Sequence, residues 1–141
     1  AAYPARFEAG SPSLADAMGF AAAAAYLEQI GMDRVHEHVS ALTRQAHDAL
    51  ADVPGLQLIP RHASERSAII SFIVEGIHPH DLAQVAGDRG VAVRAGHHCC
   101  QPLMQHLGLA ATTRASFALY NEPLDVDALL QAIDRARAMF G

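Results

Sequence analysis

Ala68-Ile69-Ile70-Ser71-Phe72-Ile73-Val74 decides the fold. The run is apolar and largely β-branched, the mark of a strand in the centre of a sheet. Other strands are expected on either side of it. Leu56–Ile59 follows a turn at Pro54-Gly55, and Val91–Arg94 and Thr113–Tyr120 come later. Helical patterns flank these strands. Ser11 can cap a first helix with Pro12 at its first position, running to about Ile30 where Gly31 stops it. Its alanine-rich sequence, with Met18, Phe20 and Leu27, predicts burial on more than one face. A second helix starts at Asp33, with Val35, Val39, Leu42, Ala46 and Leu50 on one apolar face. Pro79 opens a short helix through Ala86, with Gly90 as its stop, and Pro102–Leu107 reads as a helical turn ended by Gly108. Val126, Leu129, Leu130, Ile133 and Phe140 mark an amphipathic closing helix from Pro123 to Phe140. The order α-α-β-β-α-β-loop-β-α predicts an α+β fold, a mainly antiparallel sheet packed with helices.

The bulk numbers exclude several classes. At 141 residues the chain fits one domain, residues 1–141, with enough length to bury a real core. Hydrophobic residues make up 51% of it, which argues against disorder. The net charge is −5 and no basic run occurs, so no nucleic-acid footprint is present. No apolar run approaches the roughly 18 residues of a membrane span. No signal peptide is recognisable, and two adjacent cysteines do not build a disulfide framework, so a reducing, cytoplasmic location is expected. The opening Ala1-Ala2-Tyr3-Pro4 has no initiator methionine and reads like mid-protein sequence, as in an excised domain or a proteolytic remnant.

The chemistry is concentrated in Arg94-Ala95-Gly96-His97-His98-Cys99-Cys100-Gln101-Pro102. Both cysteines of the chain lie there. A thiol is a good nucleophile only as thiolate, and Arg94, His97 and His98 are the neighbours that could favour that form. A loop at a strand end also presents side chains at the surface, where sites tend to lie. The plain alternative, a small buried cysteine, fits poorly with so polar a loop. Four contiguous His/His/Cys/Cys residues cannot converge on one tetrahedral ion, so no metal is expected. The residues alone leave open which cysteine acts.

Arg94 to Met104, followed by Arg114-Ala115-Ser116 and Ala118-Leu119-Tyr120-Asn121, resembles the C-terminal part of the SUF-type (group II) cysteine desulfurases, a family shared with selenocysteine lyases. The opening Arg6-Phe7-Glu8-Ala9-Gly10-Ser11-Pro12 resembles another stretch of the same family. The resemblance covers essentially the whole chain. It implies the small C-terminal domain of a homodimeric fold type I enzyme that uses pyridoxal 5'-phosphate. Such an enzyme converts L-cysteine to L-alanine and passes sulfur, as a persulfide, to an acceptor protein of Fe–S cluster assembly. By resemblance, Cys99 is the persulfide cysteine and Cys100 a bystander. Arg114 matches the arginine that grips the substrate carboxylate, and Arg94 an active-site arginine beside the loop. Ser11 stands where the family usually has threonine, whose hydroxyl reaches the cofactor phosphate of the partner subunit. His97 and His98 belong to the loop motif without an assigned role. The remaining histidines, including His36, His38, His47, His78 and His80, read as solvated.

The chain contains no lysine; all ten basic residues are arginine. A pyridoxal-phosphate enzyme holds its cofactor as a Schiff base on lysine. The resemblance therefore implies that the cofactor-binding large domain lies outside this chain and that the chain alone is inactive. Two rivals keep the same residues. The parent could be a selenocysteine lyase, or the chain could be a stand-alone persulfide carrier or docking module loaded by another protein.

Overall fold

The computed structural model describes residues 2–60 and 67–141. The chain divides into two compact units, Ala1–His36 and Glu37–Gly141. In the first, a short 3-10 turn at Ala5–Phe7 precedes helix α1, Leu14–Ile30. The expected cap moves. α1 begins at Leu14 with Ser13 as N-cap, and the Ser13 hydroxyl donates to Asp16 Oδ2 at 2.7 Å. Ser11 lies two residues before Ser13, ahead of the first helical turn, and so is not the helix cap. The predicted burial of α1 also fails. The helix has no buried residue, and Met18 and Phe20 are 75% and 80% exposed. Helix α2, Met32–Ala51, carries the chain into the second unit.

The second unit holds a four-stranded antiparallel sheet in the order β1-β2-β4-β3. Its strands are β1 Leu56–Ile59, β2 Ile69–Val74, β3 Arg94–Gly96 and β4 Thr112–Ser116. Helices α3 (Pro79–Gly87), α4 (Gln101–Leu107) and α5 (Pro123–Phe140) complete it. The α+β class with an antiparallel sheet is therefore as expected. β2 is a central strand, yet its burial alternates: Ile70, Phe72 and Val74 are buried, while Ser71 and Ile73 are half-buried. With period-two geometry this separates two faces.

The face bearing Ile70, Phe72, Val74 and Ala115 packs on Leu42, Ala46 and Leu50 of α2, on α3 through Leu82 and Val85, and on α5 through Val126, Leu129 and Ile133. Of the helical periodicities read from α2 and α5, Leu42, Ala46, Leu50, Val126, Leu129 and Ile133 are buried, and Val39 and Leu130 pack half-buried against them. Val35 is half-buried, and Phe140 is 47% exposed at the end of α5. Burying a large apolar side chain contributes about 1.5–3 kcal/mol, so this cluster is the main source of stability in the unit.

β3 begins at Arg94 rather than ending there. The Val91 N–H donates to the Ala86 carbonyl at 2.9 Å, closing the end of α3, and Val91 and Val93 pack on the core outside any ladder. β4 likewise ends at Ser116, where the Ala118 N–H turns to Asn121 Oδ1 at 2.8 Å. That asparagine also donates to Asp125 Oδ2 at 2.9 Å, and Asp125 accepts the Glu122 N–H at 3.0 Å to start α5. These two donors hold the Asp125 carboxyl below its usual range. The opposite sheet face carries Ser71, Arg94, Thr112 and Arg114.

Candidate active site

Register brings the two arginines together. Arg114 of β4 lies directly opposite Arg94 of β3 on one side and Ser71 of β2 on the other. Like charges placed opposite each other destabilise a sheet. Yet neither guanidinium has an acidic partner among the described residues, where the ion pairs are His47–Asp48 and Asp134–Arg137. Arg114 Nε is buried with no hydrogen-bond partner. An unpaired buried N–H beside a second cation is the arrangement that an incoming anion would relieve.

The loop after β3 turns sharply. His98 and Cys99 both have left-handed backbone, φ 56° and 59°. The Cys100 N–H donates to the His97 carbonyl at 2.9 Å and closes the turn. Two positive central φ angles are those of a type I′ turn, usually built from Asn and Gly. A left-handed residue with a Cβ costs about 1–2 kcal/mol. The turn sets the Cys99 thiol at the surface, with Arg94 Nη2 donating to Cys99 Sγ at 3.6 Å. Cys100 caps α4 through its backbone and faces elsewhere, lining a cleft of about 530 Å³ with Ile69, Leu103, Met104 and Leu107. His98 and Arg114 line the polar part of that cleft. His97 stays exposed on the turn and also borders it.

His98 reaches back to the sheet. Its Nε2 and Thr112 Oγ1 are hydrogen-bonded at 2.8 Å. Burial, and then the Arg114 and Arg94 guanidiniums, hold its pKa below the ordinary 6.5. A cationic ring there would be a third positive charge beside two others, so the neutral form is favoured.

The structure thus gathers Arg94, His97, His98, Cys99 and Arg114 in the second unit. Ser11 lies in the first unit, exposed, with its hydroxyl accessible. Among the described residues no group of three or more His, Cys, Asp or Glu side chains could hold a metal ion. No described helix is long and apolar enough to cross a membrane.

Comparison with known proteins fits this geometry. Residues 1–129 match the family model described as aminotransferase class-V. The chain belongs to that family.

Relatives of this class-V chain carry a narrower name. It is 49% identical over 139 residues to a probable cysteine desulfurase of Streptomyces coelicolor, covering 98% of this chain and 33% of the relative. It is 44% identical over 137 residues to a cysteine desulfurase of Haloferax volcanii, covering 97% and 32%. The crystal structure of the cysteine desulfurase CsdA (S-sulfonic acid) from Escherichia coli superimposes with a TM-score of 0.89 at 37% identity, over 98% of this chain and 34% of that one. The apo cysteine desulfurase of Thermococcus onnurineus NA1 gives 0.81 at 36% identity, over 94% and 33%. The class-V chain spans about a third of the length of the curated relatives it matches. The resemblance read from the motifs is borne out at this level.

Two neighbours of the site were not singled out by motif reasoning. Thr112 anchors His98, and Ser71 extends the Ser71–Arg114–Arg94 row. Alternation along β4 could have placed Thr112 on the face of Arg114. The cross-strand partners needed the register.

Proposed function

We propose that this chain is the thiol-bearing part of a pyridoxal-phosphate-dependent cysteine desulfurase, a transferase that converts L-cysteine to L-alanine and leaves the sulfur as a persulfide on Cys99. The observation that carries this reading is the exposed Cys99 thiol held against Arg94 next to Arg114, a guanidinium with no acidic partner among the described residues. The amino-acid substrate brings a carboxylate and a sulfur, the two groups these side chains suit. The named relatives support the same reading.

Fit to the cofactor is one-sided. Arg114, with its unpaired buried Nε, suits the anionic end of a substrate, and the Ser11 hydroxyl can donate to a phosphate of the partner subunit. No side chain of this chain is an amine, so covalent attachment of the cofactor has to come from residues outside it. When bound, pyridoxal phosphate supplies the electron sink that makes the substrate's C–S bond breakable.

The chain's own residues do the rest. Arg114 grips the carboxylate bidentately and fixes the substrate's orientation. Arg94 holds the Cys99 sulfur in place as it attacks. Cys99 Sγ bonds to the substrate sulfur while the C–S bond breaks. The electron pair leaves with the carbon, which takes up protons to become alanine, so no outside oxidant or reductant is needed. The persulfide then sits on an exposed turn, accessible to a sulfur-acceptor protein of Fe–S cluster assembly. A homodimeric, cytoplasmic enzyme completes the proposal.

The test is a pair of variants in the full-length enzyme, read by mass spectrometry of the persulfide. Cys99→Ala abolishes persulfide formation and Cys100→Ala leaves most of it. The reverse pattern overturns the assignment. The 141-residue chain with added cofactor releases no alanine from cysteine; release of alanine would overturn the division of labour.

A further inference from the structure

We infer that His98 is a positioning residue for the reactive thiol: its ring, pinned to Thr112, holds the left-handed turn that presents Cys99 to Arg94. The inference rests on reading Cys99 as the sulfur-accepting cysteine.

The turn has a stability problem of its own. His98 and Cys99 both carry a Cβ in left-handed backbone. The turn's internal hydrogen bond, Cys100 N–H to the His97 carbonyl at 2.9 Å, is a single neutral bond. One such bond is worth less than two left-handed residues cost. Left alone, the segment would relax to more extended backbone, and Cys99 Sγ would leave Arg94.

The side chain of His98 supplies the missing tether. Its Nε2 meets Thr112 Oγ1 at 2.8 Å, a bond spanning 14 residues of sequence. Thr112 is 0% exposed and is paired through its backbone with Gly96, the last residue of β3. Gly96 has φ 125°, a conformation that suits glycine. The loop is therefore anchored on one residue of β4 twice, at its start by the ladder and at its turn by the imidazole. Arg94, two residues before Gly96, is fixed by the same ladder opposite Arg114. Cys99 and its guanidinium partner are thus both referenced to β4.

The charge state of the ring agrees with this role. The groups facing it are Arg114, Arg94 and His97, all basic, and burial opposes a further charge. A neutral imidazole can hydrogen-bond Thr112 without adding to that repulsion. His98 therefore serves as a neutral strut in a cationic site. It acts on Cys99 through the backbone they share.

The experiment uses the holoenzyme. Thr112→Val removes the hydroxyl and keeps a branched side chain; Thr112→Ser restores the hydroxyl. Single-turnover persulfide formation on Cys99 is followed by quenched mass spectrometry, with KM for L-cysteine measured alongside. Thr112→Val slows the single turnover by about tenfold, the equivalent of one hydrogen bond. KM stays within about twofold, because Arg114 keeps its place in the ladder. Thr112→Ser recovers most of the rate. Should Thr112→Val fail to fold by circular dichroism, the pair His98→Ala (slow) and His98→Gln (largely recovered) makes the same comparison. A wild-type rate in Thr112→Val or His98→Ala, or no recovery in the conservative partner, overturns the inference. Cys99→Ala separates the two levels. If it abolishes the persulfide while Thr112→Val is unaffected, only the positioning role falls; if it retains the persulfide, the underlying reading falls.

Discussion

Replacing Arg114 by Met should improve the fold and damage the site. Arg114 stands opposite Arg94 in the ladder, and its Nε is buried without a partner. Relieving a directly opposed like-charge pair contributes about 0.2–1 kcal/mol. Removing an unsatisfied buried N–H contributes about 1 kcal/mol more. The methionine side chain meets Leu103 and Leu107 in a largely apolar cleft. Together these predict that the 141-residue chain gains about 1–2 kcal/mol. For a chain of this size that is a rise in Tm of about 2–6 °C. Thermal unfolding without substrate reads the gain. In the full enzyme the same change removes a charged hydrogen-bonding partner worth about 1.5–3 kcal/mol, so KM for L-cysteine rises by about 10- to 150-fold. Arg114→Lys separates charge from geometry: it keeps the repulsion and loses the planar fork, so affinity falls and only the part of the Tm gain due to the lost Nε–H remains. A lower Tm in Arg114→Met would refute the reasoning, because it would mean that the arginine is satisfied within the domain.

Two further outcomes follow from the same structure. The lowered pKa of His98 means that the unfolded chain binds a proton where the folded one does not; its stability contribution is whole above the ordinary value of 6.5 and is lost as pH falls below it. Urea unfolding at about pH 7.5 and about pH 5.5 should show that loss, smaller in His98→Gln and in Arg114→Met. Ile133→Ala, at a site with 0% exposure, should cost about 2–5 kcal/mol in urea unfolding, whereas Leu124→Ala, 70% exposed on the same helix, should stay within about 0.5 kcal/mol.

Local chemistry made much of the fold legible. β2 could be read because β-branched residues at 69–74 have few other good uses, and α2 and α5 because their apolar residues recur on one helical face. Where several residues competed for one role, reading from sequence slipped. Ser11 and Ser13 are both plausible caps, and the helix starts after Ser13, whose hydroxyl bonds Asp16 in the first turn. Val91 and Val93 look like strand residues, but their apolar side chains serve the core while the ladder waits for Arg94. α1 looked like a helix buried on several faces, but none of its residues is buried; Leu14, Met18, Phe20 and Tyr26 stand exposed and Leu27 is half-buried. The thiol loop was legible from its motif. The opposition of Arg94 and Arg114 and the tether from His98 to Thr112 were not, since both depend on strand register.

The left-handed turn also constrains how this loop can vary. Substitutions at 98 and 99 pass two filters at once, one for backbone handedness and one for chemistry. Asparagine, aspartate and glycine meet the first filter easily, and valine, isoleucine and threonine fail it whatever their function. A saturation library across the loop would therefore report shape before reactivity, and a scarcity of branched residues at these two sites would be the imprint of the turn.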